Sequence, residues 1–427
     1  MKVSFFNSYL QGGAANAAIN LYNSLDGINK TFYYKENIPE RHNKIVDADS
    51  SFERVDAHKS NYRSVVQRLH KSLKARSYYS QLNKLLSNKP SGFEQFSVPN
   101  QFTSTPISFF SNDPGIIHLH WIAEWIDYTS FFNSLSSNTP VVWTLHDMNP
   151  FTAGCHFSLG CDRYIKGCDI CPQLASDNSV DTFIKKKVES ISRLTNLHVV
   201  APSNWLSDLA SKSIVFKNAK HYVIPYAVDI EIFHPSFKRN IHFKSEALKV
   251  LYVSADLDNP RKGFHYFKSL TEQFNDTKEI EFYSVGDNIT KSDSIKQLGR
   301  IDSKQELARV YSSADLLIMP SIEDNLPNVV LESMACGTPV IGFDVGGMVD
   351  MVHHNQNGFL FKVGDIKAMA KVIADCNQNR VQLKEMAARG VNLVRESFST
   401  LNQFEAYKKI YQEVSDVNLM GERITHA

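Results

Sequence analysis

Asp324 and Glu332 are the pair of side chains whose placement most directly suggests chemistry. A strand is expected over Ala314–Pro320, and the polar loop after it carries Glu323, Asp324, Asn325 and Leu326. A helix is expected to open near Pro327 and Asn328, where proline's missing N–H costs nothing. The first N–H groups of such a helix lack partners within it, and its dipole favours negative charge. That end is a seat for phosphate. With Glu332 two turns into the helix, both carboxylates can line one cleft and accept sugar hydroxyls. Solvated acids on a buried strand–turn–helix are the plainer alternative.

Arg261, Lys262 and Gly263 follow an expected strand and an acidic loop. Arginine clasps phosphate oxygens in two places, and lysine adds a compact point charge. Together they can offset the charge building on a departing nucleoside diphosphate. In the first half of the chain, His146 ends the apolar run Val141–Leu145. A neutral imidazole there can donate or accept one hydrogen bond. His118, His120, Trp121, Glu124 and Asp127 cluster after an earlier run, which suits a sugar acceptor or equally a packed strand end. Gly12 and Gly13 form a strand-to-helix turn where backbone can approach a ligand, or simply pack tightly.

Four cysteines, Cys155, Cys161, Cys168 and Cys171, crowd one loop with the spacing C-x5-C-x6-C-x2-C. That spacing can close around a structural Zn²⁺; free thiols and disulfides are the alternatives.

Parallel, doubly wound sheets are the natural frame for these groups. Apolar runs alternate with helical segments twice along the chain, the pattern of an α/β fold with two Rossmann-like domains and a central cleft between strand ends. The expected division is 1–225, with the Cys loop at 150–175, then 226–396, then a C-terminal helix within 397–427 that returns to the first domain. A chain of 427 residues can build two such cores. With 46 basic and 45 acidic side chains, global charge points to no polyanionic partner, and no recognition motif suggests nucleic acid. No apolar run approaches the roughly 20 residues of a membrane span, nor is there a signal-peptide core. The expected location is the cytoplasm.

The segment Ser321–Val340 resembles the E-x7-E signature of retaining glycosyltransferases of family 4, which have the GT-B fold. Glu332 matches the second Glu of that signature. Asp324 stands at the first, with Glu323 one residue earlier, so either can take the donor sugar. The loop Asn325-Leu-Pro-Asn328 replaces the more usual Gly-Phe-Gly. Arg261-Lys-Gly263 matches a further family motif, although the upstream Arg of many relatives is absent. Gly12 and Gly13 resemble the glycine loop near the donor phosphates. His146 matches a Thr-x-His segment, and the Cys loop looks like an insert in some polysaccharide-building bacterial members.

The resemblance implies transfer of a sugar from a UDP- or GDP-sugar to a glycan or lipid-linked acceptor, with retention and no catalytic metal. His146, Lys262, Asp324 and Glu332 would carry it. A nucleotide-sugar epimerase or a non-catalytic sugar-nucleotide-binding protein are the other readings. Residues 57–93 hold eight cations and no acid, with Leu and Val at helical spacing. This suits either a peripheral helix on an anionic membrane surface or helices packed on the domain with a charged outer face.

Overall fold

A computed structural model describes residues 1–35, 52–55, 65–87, 89, 94–99, 104–174, 180–235, 243, 245–287 and 292–425. The chain divides into two units. One comprises Met1–Ile224 with Phe404–Ala427, the other Pro225–Gln403.

The first unit runs β1 (Lys2–Asn7), α1 (Gly13–Ser24), β2 (Asn29–Lys35), β3 (Phe52–Val55), α2 (Val65–Ser87) and β4 (Ile116–Leu119). It continues through α3 (Tyr128–Asn133), β5 (Val141–Thr144), α4 (Asp181–Ile191), β6 (Leu197–Ala201), α5 (Asn204–Lys212) and β7 (Lys220–Val223). Its seven strands pair in the order β3-β2-β1-β4-β5-β6-β7. Every ladder is parallel. The central strands are buried on both faces, which is why they read as unbroken apolar runs rather than alternating ones.

The second unit runs β8 (Leu248–Asp256), α6 (Phe264–Glu272), β9 (Ile280–Asp287), β10 (Ile295–Gly299), α7 (Lys304–Ser313) and β11 (Leu316–Met319). It ends with α8 (Asn328–Ala335), β12 (Val340–Phe343), β13 (Gly358–Phe361), α9 (Ile366–Gln378) and α10 (Arg380–Ser397). Its six strands lie in the order β10-β9-β8-β11-β12-β13, again parallel throughout. The last helix, α11 (Thr400–Thr425), crosses the boundary between the units at Gln403 and Phe404. It fills most of the 397–427 segment in which a helix is expected.

Strand alternation explains what this helix does for the first unit. Val141 and Trp143 point to one face of the sheet and join the cluster of Phe6, Leu119 and Val199. Val142 points to the other, with Phe5, Ile116 and Val200. Tyr407, Ile410, Tyr411 and Val414 of α11, spaced by three and four, cover this second face. His118, His120, Thr144 and His146 stand at the same parity, so they belong to the face that α11 covers.

Candidate functional site

The sequence expectation for the second unit centres on the loop between β11 and α8. Pro327 sits at the N-cap in an extended conformation, and α8 begins one residue later. Glu332 is therefore little more than one turn inside the helix, not two. Asp324 is held from several sides. Lys262 Nζ donates to its Oδ2 at 2.6 Å. Ser321 Oγ donates to the same oxygen at 3.2 Å, and Arg261 Nη1 lies 3.2 Å from Oδ1. Arg261 Nη1 also donates to the Glu323 carbonyl at 2.7 Å. Burial would raise the Asp324 carboxyl, but Lys262 and Arg261 outweigh it and hold it down to about 2.

Arg261, Lys262, Glu323 and Asp324 thus come together as one cluster. The exposure of its members is uneven: the Arg261 and Asp324 side chains are 7% and 8% exposed, Lys262 23%. Arg261 is committed to the protein, while Lys262 keeps an outward aspect. Two glycines make the geometry reachable. Gly263 has φ 74°, and a Cβ there would lie 1.9 Å from the Pro320 carbonyl oxygen. Gly346 has φ 55°, and its Cβ would lie 1.7 Å from the Asp324 carbonyl, to which Gly347 N–H donates at 3.1 Å. Both turns clamp the loop that carries Asp324. Asn325 and Leu326 are buried in the same loop, and Asn328 is half-buried at the first turn of α8.

Glu332 has a different partner, the Tyr311 hydroxyl, which donates to its Oε2 at 3.1 Å. Burial raises the Glu332 carboxyl to about 7, against the opposing Tyr311 hydrogen bond and the Lys304 charge. A folded value above the unfolded one means stability is complete below about pH 4.5 and declines as pH rises towards 7. We expect the melting temperature of Glu332→Gln, relative to wild type, to rise from pH 5 to pH 7 and to level off above it. The limiting slope is about 1.4 kcal/mol per pH unit. Parallel curves in a pH series of thermal melts would remove the assignment.

In the first unit, His146 follows β5 and its Nε2 lies 2.9 Å from His120 Nδ1. Burial lowers the His146 imidazole to about 4, with Asp147 opposing, so it is neutral at pH 7. Asp147 Oδ2 in turn receives His156 at 2.7 Å and Trp121 Nε1 at 3.2 Å. His118 is fully buried, with Nδ1 2.6 Å from Tyr411 Oη and Nε2 2.8 Å from Thr144 Oγ1. It is a structural residue under α11, not an acceptor ligand. Asp127 is structural too: its Oδ1 accepts the Ser130 N–H at 2.7 Å and caps α3. Glu124 adopts φ 61°, unusual for a side chain with a Cβ, and accepts from the Tyr9 hydroxyl at 3.4 Å. Gly12 and Gly13 have open space where a Cβ would stand.

Among the described residues the Cys loop shows no zinc arrangement of the kind expected. The four cysteines and Phe96 and Tyr164 line a cavity of about 20 Å³, enough for about one water. All are free thiols, and no group of three or more His, Cys, Asp or Glu among the described residues is arranged to hold a metal ion. All four cysteines face this one cavity, and Cys155 lies in a backbone bridge opposite Phe96. Burial raises the Cys168 thiol to about 11 and Cys155 further. Lys187, fully buried on α4, braces the loop by donating to the Thr152 carbonyl at 2.9 Å and to that of Asn149.

The basic stretch lies partly outside the described residues, as Lys59 and Arg63 do. Where α2 is described, Leu82, Leu85 and Leu86 rest on the first unit's core, while Leu73 is 65% exposed. The C-terminal end of α2 thus packs on the first unit. No helix among the described residues is long and apolar enough to cross a membrane.

Sequence reasoning missed Tyr311, His156 and Lys187. Only their contacts distinguish them, since none belongs to a spaced motif.

Comparison with known proteins agrees with this architecture. Residues 247–379 match the family described as glycosyl transferases group 1. The N-acetyl-alpha-D-glucosaminyl L-malate synthase of Bacillus anthracis is 31% identical over 127 residues, 30% of this chain and 32% of that protein. The match thus spans about a third of that relative's length. The putative teichuronic acid biosynthesis glycosyltransferase TuaC of Bacillus subtilis is 26% identical over 72% of each chain. Among solved structures, the sucrose-phosphate synthase of Thermosynechococcus elongatus superposes with a TM-score of 0.66 at 17% identity, covering 97% of this chain and 99% of that one. Anabaena Alr3699/HepE in complex with UDP and glucose gives 0.59 at 16% identity, covering 96% and 98%. The chain has the GT-B fold, and residues 247–379 of its second unit match the model of the glycosyl transferases group 1 family.

Proposed function

We propose that the protein is a retaining glycosyltransferase that moves a sugar from a UDP- or GDP-sugar to a glycan or lipid-linked acceptor in surface polysaccharide assembly. The observation that carries this reading is the Arg261–Lys262–Asp324 cluster at the loop before α8. Lys262 keeps a partly exposed ammonium where a diphosphate would meet the first N–H groups of the helix. Glu332 is assigned to the ribose hydroxyls, and Asp324 or Glu323 to the donor sugar. The name of TuaC supports a polysaccharide role, and the UDP complex of HepE supports a nucleotide-sugar donor.

Among the described residues of the first unit, Asp127 caps a helix and Asp147 is paired, so neither is offered as a nucleophile. The reaction is therefore assigned to same-face attack, with the leaving phosphate oxygen taking the acceptor's proton. His146, neutral at pH 7, contributes hydrogen bonding rather than charge. The six free thiols suit a cytoplasmic protein, and a lipid-linked acceptor would bring it to the inner face of the membrane.

Thermal-shift screening against UDP- and GDP-sugars, followed by NMR of the anomeric product, tests the whole reading. Stabilisation by one class and a retained anomeric configuration are expected. An inverted product would overturn the stereochemical assignment, and no response to any nucleotide would overturn the donor site.

A further inference from the structure

Three imidazoles stand in a row on the face of the first sheet that α11 covers. His118 and His120 alternate along the end of β4, and His146 follows β5, the neighbouring strand. The His118 and His120 rings are 4.3 Å apart, and His120 and His146 are 5.2 Å apart with planes 23° from parallel. Phe5 stacks on His120 at 5.7 Å. Both nitrogens of His118 have hydroxyl partners, as described above. His120 differs. It is 1% exposed, its Nδ1 meets His146 Nε2 at 2.9 Å, and its Nε2 has no hydrogen-bond partner among the described residues.

Between two neutral imidazoles one nitrogen must donate and the other accept. If His146 donated from Nε2, the proton of His120 would sit on its Nε2 as a buried N–H with no acceptor. If His120 donates from Nδ1, its Nε2 keeps only a bare lone pair. Buried donors without partners are the rarer and costlier case. We infer that His120 is a positioning residue that donates Nδ1–H to His146 Nε2, fixing His146 as the tautomer protonated on Nδ1.

His146 then cannot act as a base through Nε2, whose lone pair is taken by His120. This consequence rests on the assignment of His146 to the transfer reaction; the tautomer itself does not. Charged and titratable groups around the row include, among the described residues, Asp147 beside His146, His156 paired to Asp147, and Tyr407 and Tyr411 on the His118 side. Burial keeps all three imidazoles of the row neutral at pH 7.

Histidine ¹⁵N NMR of the full-length protein reads the tautomer directly. A protonated Nδ1 and bare Nε2 on His146 are expected; protonation on Nε2 overturns the inference, whatever the activity. In transfer assays, His120→Leu should lower kcat about tenfold or more, the loss of one hydrogen bond. His120→Asn, which restores an amide N–H near the Nδ1 position, should stay within a few-fold of wild type. KM for the donor should not move in either. Wild-type turnover in His120→Leu would overturn the inference. If that variant fails to fold, the wild-type spectrum decides. A wild type that transfers no sugar would instead count against the proposed function, leaving the tautomer to be judged by NMR.

Discussion

Replacing Asp324 by Ala should destabilise the second unit by about 3–5 kcal/mol, measured by urea unfolding at pH 7, because it strands two cations that have left water. Arg261 is almost wholly buried and can find no new carboxylate without moving the loop that Gly346 clamps. The pH dependence carries the same signature. The Asp324 carboxyl titrates in the folded protein at about 2, below its unfolded value, so its contribution is present above about pH 4. It is lost as pH falls towards 2, and Asp324→Ala should lack that acid limb. Adding Lys262→Met to Asp324→Ala should recover part of the loss, since one unpaired charge disappears with it. A single variant within about 0.5 kcal/mol of wild type would show the cluster to be solvated rather than structural.

How far the sequence reveals such a cluster depends on the range of the interaction. The doubly wound sheets were legible because parallel strands buried on both faces must be written as apolar runs such as Val141–Thr144 and Leu316–Met319. The loop before α8 was legible because its acids and proline stand together. That Arg261 and Lys262 would close on Asp324 was not, since 62 positions separate Lys262 from it and no local rule links them. Which of the two readings of His118 holds was hidden for the same reason. Its partner Tyr411 lies 293 residues away on a helix whose register against the sheet no short motif encodes. The cysteines differ: their spacing permits convergence and the four do line one cavity, but spacing alone does not decide whether a metal-holding geometry results.

Lys262→Ala should cost about 10²–10³ in kcat while leaving the fold intact, and the asymmetry of the cluster explains why. Arg261 stays on Asp324 when Lys262 is removed, so the carboxylate keeps one cation and the stability loss should be about 1–3 kcal/mol. Transfer has no such reserve. Charge on the departing diphosphate grows towards the transition state, and a partly exposed ammonium fixed in advance acts there without reorganisation. Arg261 cannot substitute, because its guanidinium is already shared between Asp324 and the Glu323 carbonyl. Lys262→Arg should rescue little, as a planar fork does not fill the place of a compact charge 2.6 Å from Asp324 Oδ2. Steady-state kinetics at saturating donor, with urea unfolding of the same preparations, separate the two effects. A folded Lys262→Ala protein with near-normal kcat would mean that the lysine serves Asp324 alone, and that the charge on the leaving group is met elsewhere.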